Sequence, residues 1–158
     1  MALVLSSPSF ENGGAIPREH ARRTGNVSPA LRWRGEPEGT KSFLLVVEDP
    51  DAPDPKAPKR VFTHWIVYDI PPATHELAAG AGRDGLPRGA EQGLNDWSAP
   101  EWGGPEPPIG RHRYFFKLWA LDEELPVGAH RRADLYRLLE GHVLDYTELV
   151  GTYDARAA

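Results

Sequence analysis

The hydrophobic pattern predicts four main β-strands. Residues 43–48 form a nearly continuous apolar run, which is typical of a strand buried on both faces. Residues 63–68 form a second run, and Pro71 and Pro72 must end it because proline cannot donate to a β-ladder. Strands are also predicted at residues 113–121 and 144–153. Weaker strand patterns occupy residues 3–6 and 30–33.

One segment has helical periodicity. Leu135, Leu138 and Leu139 recur at helical spacing between residues 134 and 142, and Gly141 stands where a C-terminal cap is common. Residues 80–110 instead form a long, glycine- and proline-rich stretch with little regular pattern, and long ordered loops are often functional. We therefore predict a mainly β protein, folded as a single domain over residues 1–158.

Composition narrows the functional classes. The formal net charge of the 158 residues is −5 and the basic residues occur in pairs such as Lys59-Arg60, so nucleic-acid binding is not expected. The chain has no cysteine, which excludes disulfides and thiolate metal sites. The first residues are typical of an edge strand rather than of a secretory signal, and no apolar stretch approaches the roughly 20 residues that span a bilayer. These features predict a cytoplasmic protein without integral membrane association.

Candidate chemistry lies at the start of two strands. Strand alternation places His112 and Tyr114 on one face and Arg113 on the other. The same alternation predicts that His64 shares a face with Ile66 and Tyr68. These strand ends could together form the floor of a small pocket.

The residue types in that pocket favour an anion. Imidazole and phenol groups donate hydrogen bonds to phosphate or carboxylate oxygens, and Asp49 could orient one histidine through its other ring nitrogen. A purely structural role for the histidines, and an Asx-type turn at Asp49, remain open from the residues alone. A metal site of His64, His112 and Asp49 is conceivable. Tyr114 fits an anion donor better, so neither a metal nor a cofactor is predicted.

Several motifs resemble the phosphatidylethanolamine-binding protein family, in its bacterial and archaeal Raf-kinase-inhibitor-like branch. They include the Asp-Pro-Asp-Ala-Pro run from Asp49, the Thr-His-Trp run from Thr63, and the Pro-Pro-Ile-Gly-Arg-His-Arg-Tyr run from Pro107. Similar runs begin at Asn26 and Gly93, so the resemblance covers nearly the whole chain.

The resemblance implies a β-sandwich with a large antiparallel sheet, a smaller sheet and a peripheral helix near the C-terminus. It also implies a cis peptide at Ala52-Pro53 and a non-proline cis bond at Arg60-Val61. Arg113, on the face away from the pocket, is expected to pair with Asp51. The ligand-binding residues implied are Asp49, His64, Pro107, Pro108, Gly110, His112 and Tyr114.

Two departures from the family's animal members modify this expectation. The sequence ends at Ala158, soon after the last predicted strand, so we expect a more open pocket and an exposed edge that could support a homodimer. Glu106 precedes the proline pair and places a negative charge near the mouth.

The sequence thus predicts a non-catalytic protein that binds a small phosphorylated or carboxylated ligand. It also leaves open the regulation of a kinase or protease as a protein partner. The alternative is a hydrolase or metal-dependent enzyme that uses the same histidine, aspartate and tyrosine pocket, although no standard catalytic signature occurs.

Overall fold

A five-stranded antiparallel sheet forms the centre of the protein. We describe residues 2–157 from a computed structural model of the chain. The strand order in this sheet is β6-β4-β3-β7-β8. Its strands are β3 (Ser42–Ala52), β4 (Arg60–Ile70), β6 (Glu91–Gln92), β7 (Arg111–Leu121) and β8 (Val143–Asp154).

A smaller antiparallel sheet covers one face of the large sheet, and a helix covers the other. The small sheet has the order β1-β2-β5, with β1 (Val4–Ser6), β2 (Leu31–Arg34) and β5 (Glu76–Leu77). The helix α1 (Arg132–Leu138) contributes Leu135 to the hydrophobic cluster on the opposite face. Short 3₁₀ helices lie at Arg18–His20 and Ala155–Ala157. This is the mainly β, two-sheet architecture that the sequence predicted.

Strand β3 runs through the middle of both hydrophobic clusters. Phe43, Leu45 and Val47 belong to the cluster between the two sheets, whereas Leu44 and Val46 belong to the cluster beneath α1. All five side chains are fully buried. The predicted burial of this strand on both faces is therefore confirmed, because each face has its own covering layer.

The expected alternation of β4 is wrong at His64. Val47 pairs with Trp65 and Glu48 pairs with Thr63, so β4 carries one extra residue at this point, a β-bulge. The His64 ring consequently packs against Tyr114, with centroids 5.1 Å apart, on the face between the sheets. Ile66 and Tyr68 face the opposite cluster. A bulge reverses the side-chain alternation, and no hydrophobic pattern had indicated it.

Smaller differences concern the ends of elements and one loop. The helix begins at Arg132 and ends at Leu138, before the predicted limit at residue 142. His20, which has no sequence motif around it, is buried, and its Nδ1 lies 2.7 Å from the Val27 carbonyl. None of the helices within residues 2–157 is both long and apolar enough to cross a bilayer.

The Ala52-Pro53 peptide bond is cis. Within residues 2–157 it is the only cis bond, so the expectation of a second one at Arg60-Val61 is wrong.

Candidate functional site

A cavity of about 440 Å³ opens where β3, β4 and β7 reach one end of the large sheet. Six of the seven residues predicted from the sequence line it together: Asp49, His64, Pro107, Pro108, His112 and Tyr114. The remaining lining residues are Ala52, Pro53, Lys59, Arg60, Phe62, Trp97 and Glu106. The cavity is therefore built mainly from strand ends and from the loop that precedes β7.

The seventh residue, Gly110, lies outside this cavity. It lines a neighbouring depression with Pro108, Ile109 and Arg111. Its φ of +76° is one that side-chain-bearing residues rarely adopt, and a Cβ atom there would meet the Pro55 ring at 3.2 Å. The glycine thus shapes the entry into β7 and does not line the cavity, and its predicted role in ligand binding stays a prediction.

Asp49 and His112 form a buried pair at the bottom of the cavity. Their side chains are almost fully buried, and the Asp49 Oδ2 lies 2.6 Å from the His112 Nδ1. Burial raises the pKa of the Asp49 carboxyl above its usual range, while the hydrogen bonds from His112 and the Asp51 amide act in the opposite direction. The short contact requires one proton between the two groups, which either the carboxyl or the imidazole can carry.

The second ring nitrogen of His112 is also engaged. Its Nε2 lies 3.0 Å from the carbonyl oxygen of Ile109, and a carbonyl can only accept, so Nε2–H donates. Asp49 occupies the other nitrogen, which leaves no ring N–H to point into the cavity. His112 therefore fixes the loop before β7 to the floor, and the sequence-based expectation that it donates directly to a ligand does not fit this geometry.

His64 is buried in a different hydrogen-bonding state. Its Nδ1 lies 2.7 Å from the carbonyl oxygen of Gly103, so Nδ1 carries a proton and donates. Burial lowers the pKa of His64 to about 4, and the backbone contacts with Gly103 and Gly104 and the charge of Asp96 only partly offset this. The ring is therefore neutral near pH 7, and its Nε2 atom then holds a lone pair instead of a proton.

Tyr114 brings an unpaired hydroxyl to the same place. The side chain lines the cavity and is 1% exposed, yet its Oη has no hydrogen-bond partner among residues 2–157. Burial and the nearby carboxylates of Asp49 and Asp51 raise the pKa of this phenol, so it keeps its proton. A buried hydroxyl without a partner is costly, which makes it available to a bound group.

The expected contact between the two main motifs is present. Arg113 donates from Nε and Nη2 to the two carboxylate oxygens of Asp51, at 2.9 and 2.8 Å, and its backbone amide donates to the same side chain. The guanidinium lowers the pKa of Asp51. This bidentate contact holds β3 to the start of β7, and therefore holds Asp49 beside His112.

Lys59 and Arg60 also line the cavity, although neither was predicted as a site residue. Both side chains are exposed at the rim, and neither forms a salt bridge with a described carboxylate. The Arg60 guanidinium lies 4.6 Å from the centre of the Phe62 ring. Their position at the start of β4, the strand that carries His64, was the one signal that could have indicated them.

Glu106 adds less negative charge to the mouth than the sequence suggested. Its carboxylate contacts Arg23 at 3.3 Å and Arg22 at 3.7 Å. Arg22 also lies over the Trp97 ring, 4.3 Å from its centre. The negative charge is thus balanced by two cations of the segment that follows the first 3₁₀ helix, and the uncompensated rim charge is positive.

The metal-site alternative finds no support in the geometry. Within the described part of the chain, the ligand atoms of Asp49, His64 and His112 do not cluster closely enough to share an ion. The group that does cluster is Asp122, Glu123 and His142, on the surface at the other end of β7.

Comparison with known proteins agrees with the fold. The family model described as phosphatidylethanolamine-binding protein matches residues 6–154. A UPF0098 protein of Aquifex aeolicus is 43% identical over 156 residues, covering 96% of this chain and 88% of that protein. A UPF0098 protein of Methanothermobacter thermautotrophicus is 42% identical, covering 94% of this chain and 97% of its own.

Two crystal structures are similar over almost their full length. Escherichia coli YbcL, described as a member of the mammalian family, has a TM-score of 0.88 and 35% identity, covering 98% of this chain and 99% of its own. A family homologue from Chlamydia trachomatis has a TM-score of 0.87 and 35% identity, with 97% of each chain covered. With the sequence motifs and the two-sheet fold, these matches show that the chain belongs to the phosphatidylethanolamine-binding protein family.

Proposed function

We propose that this protein binds a small oxyanion, a phosphoryl or carboxyl group, in the cavity above Asp49 and His112. The observation that carries the proposal is the Tyr114 hydroxyl, which is buried without a protein partner in a cavity with an uncompensated positive rim. An anion at this place would accept from Tyr114, while Lys59 and Arg60 would attract it electrostatically.

The proposed role is binding rather than catalysis. Both nitrogens of His112 are engaged within the protein, and Asp49 is hydrogen-bonded to His112 and to the Asp51 amide. These groups hold the floor rigid instead of being free to transfer protons or attack a substrate. A rigid cavity loses little conformational entropy when a small ligand binds.

The test is a titration with inorganic phosphate, followed by NMR of the histidine ring signals. Wild-type protein should give saturable shifts of His64 and His112. Tyr114→Phe should bind phosphate roughly tenfold more weakly, since it lacks the hydroxyl donor.

Tyr153 offers a matched control. Its hydroxyl is also buried and without a partner among the described residues, but it lines a separate cavity behind Pro107. Tyr153→Phe should therefore leave phosphate binding unchanged. Absence of saturable shifts in the wild-type protein at millimolar phosphate would refute the proposal.

A further inference from the structure

The cavity presents two kinds of hydrogen-bonding group, a donor and an acceptor. Tyr114 can donate through its hydroxyl, because it has no partner within the described residues. His64 cannot donate into the cavity, because its proton is on Nδ1 and is held by the Gly103 carbonyl. Its Nε2 forms no hydrogen bond with any described residue, and His64 lines the cavity. Where an anion would sit, the protein thus presents a donor and an acceptor.

An acceptor beside an anion has a clear consequence. A fully deprotonated oxyanion would place a lone pair of its own against the Nε2 lone pair, which is unfavourable in a site shielded from water. An oxyanion that keeps one hydroxyl group can donate to Nε2 and still accept from Tyr114. Both protein groups are then satisfied, and neither is left buried without a partner.

We propose that His64 makes the pocket selective for oxyanions that carry a hydroxyl group, namely inorganic phosphate and the monoanion of a phosphomonoester, over sulfate and phosphodiesters. This inference rests on the proposed anion binding and specifies its ligand class. It assigns His64 a specificity role as a hydrogen-bond acceptor, in place of the donor role expected from the sequence.

The charged groups near His64 do not raise its pKa enough to protonate Nε2 near pH 7. His64 packs its ring against Phe62, Trp97 and Tyr114, with centroids between 5.0 and 5.4 Å away. The burial that these rings create lowers its pKa to about 4, so an experiment above that pH addresses the neutral ring. The titratable and charged groups around it are Asp49, Lys59, Arg60, Asp96, Glu106, His112 and Tyr114.

Calorimetric titration with four small anions tests the inference without changing the protein. Sulfate has no hydroxyl at any relevant pH, and dimethyl phosphate has none although it is a phosphate. Inorganic phosphate keeps a hydroxyl between about pH 5 and about pH 8, whereas methyl phosphate loses its own as it ionises near pH 6. Dimethyl phosphate stands for the diester of a lipid headgroup, and methyl phosphate for a soluble monoester.

The expected results follow from one hydrogen bond. Sulfate and dimethyl phosphate should bind roughly 10- to 100-fold more weakly than inorganic phosphate. Methyl phosphate should weaken by at least about tenfold between about pH 5 and about pH 8, as its hydroxyl ionises. Inorganic phosphate should change much less over the same range.

Variants locate the selectivity at one atom. His64→Phe keeps an aromatic ring but removes the acceptor, so the ratio of phosphate to sulfate affinity should fall towards one. Phe62→Leu is the matched control, because it alters a neighbouring ring of the cavity without removing a hydrogen-bonding group. Its ratio should stay as in the wild type, even if both affinities decrease.

The outcomes separate the two proposals. Equal affinity for phosphate, sulfate and dimethyl phosphate in the wild-type protein would overturn the selectivity while leaving anion binding intact. Binding of none of the four anions would overturn anion binding itself, and the selectivity with it. If His64→Phe fails to fold, the wild-type series still decides.

Discussion

Two adjacent carboxylates of β3, Glu48 and Asp49, are both buried but have very different partners. Glu48 points to the helix side of the sheet, where it accepts from Lys117 at 2.5 Å and from the Tyr136 hydroxyl at 2.9 Å, with Arg132 at 3.5 Å. Asp49 points to the cavity side, where its partners are His112 and a backbone amide.

The difference separates a structural group from one that belongs to the proposed binding site. Around Glu48, two cations and a hydroxyl satisfy the carboxylate and attach α1 to the sheet, and no group remains available. Among residues 2–157, the Asp49 carboxyl has no cation beside it like those around Glu48 and instead shares a proton with His112. The neighbouring Tyr114 hydroxyl stays without a partner in the described structure. A buried charge therefore indicates a binding site only where the surrounding groups are left incompletely satisfied.

The largest expected effect comes from removing a cation of Glu48. Lys117→Met should lower the free energy of unfolding by about 3 kcal/mol, because it leaves a buried carboxylate without its closest cation. Urea unfolding measures this loss, and phosphate affinity should be unchanged. The double variant Glu48→Gln/Lys117→Met should recover much of the stability, since no unpaired charge remains. A double variant as unstable as the single one would contradict the ion-pair explanation.

A smaller loss is expected at the contact between the motifs. Arg113→Met should reduce the free energy of unfolding by about 2 kcal/mol, because Asp51 loses a bidentate partner while the Arg113 side chain is half exposed. Phosphate affinity should fall as well, since the contact positions Asp49. Unchanged melting together with unchanged binding would show that the two motifs are held in place by other contacts.

His64 gives a pH dependence with a defined sign. Its folded pKa, about 4, lies below the ordinary value of 6.5, so between these values the unfolded chain binds a proton that the native protein excludes. Stability should therefore be complete above about pH 6.5 and fall by roughly 1 kcal/mol per pH unit as the pH drops towards about 4. Urea unfolding across this range should show the slope in the wild type and a weaker one in His64→Phe. Equal slopes in both proteins would assign the effect to other groups.

The smallest expected effect is at the rim. Lys59→Met and Arg60→Met should each weaken phosphate binding about two- to threefold at low salt, because exposed charges act over a screened distance. The loss should shrink as salt is added. Arg111→Met is the control, since that exposed cation stands near Asp154 and outside the cavity. An equal loss of phosphate affinity in Arg111→Met would show that the effect comes from the net charge of the protein and not from the rim of the cavity.

Much of the fold could be predicted from the local sequence. Continuous burial of residues 43–47 follows from an apolar run that only a sheet covered on both sides can accommodate. Residues 112 and 114 share a buried face because a strand alternates with period two, and that regularity persists through β7. The pocket set also came largely from the sequence, although the family motifs contributed more to it than periodicity did. A kinase or protease partner and a homodimer stay predictions.

Tertiary structure decided what the site residues can do. The bulge at His64 depends on how β4 pairs with β3, and a hydrophobic pattern carries no record of one extra residue in a ladder. The protons of His64 and His112 are placed by the carbonyls of Gly103 and Ile109, and these contacts exist only after long loops have folded against the strands. Sequence by itself thus determined the strands and the residue types at the cavity. The three-dimensional contacts determined which of those residues accept, which donate and which are already satisfied, because hydrogen bonding depends on the partner that packing supplies.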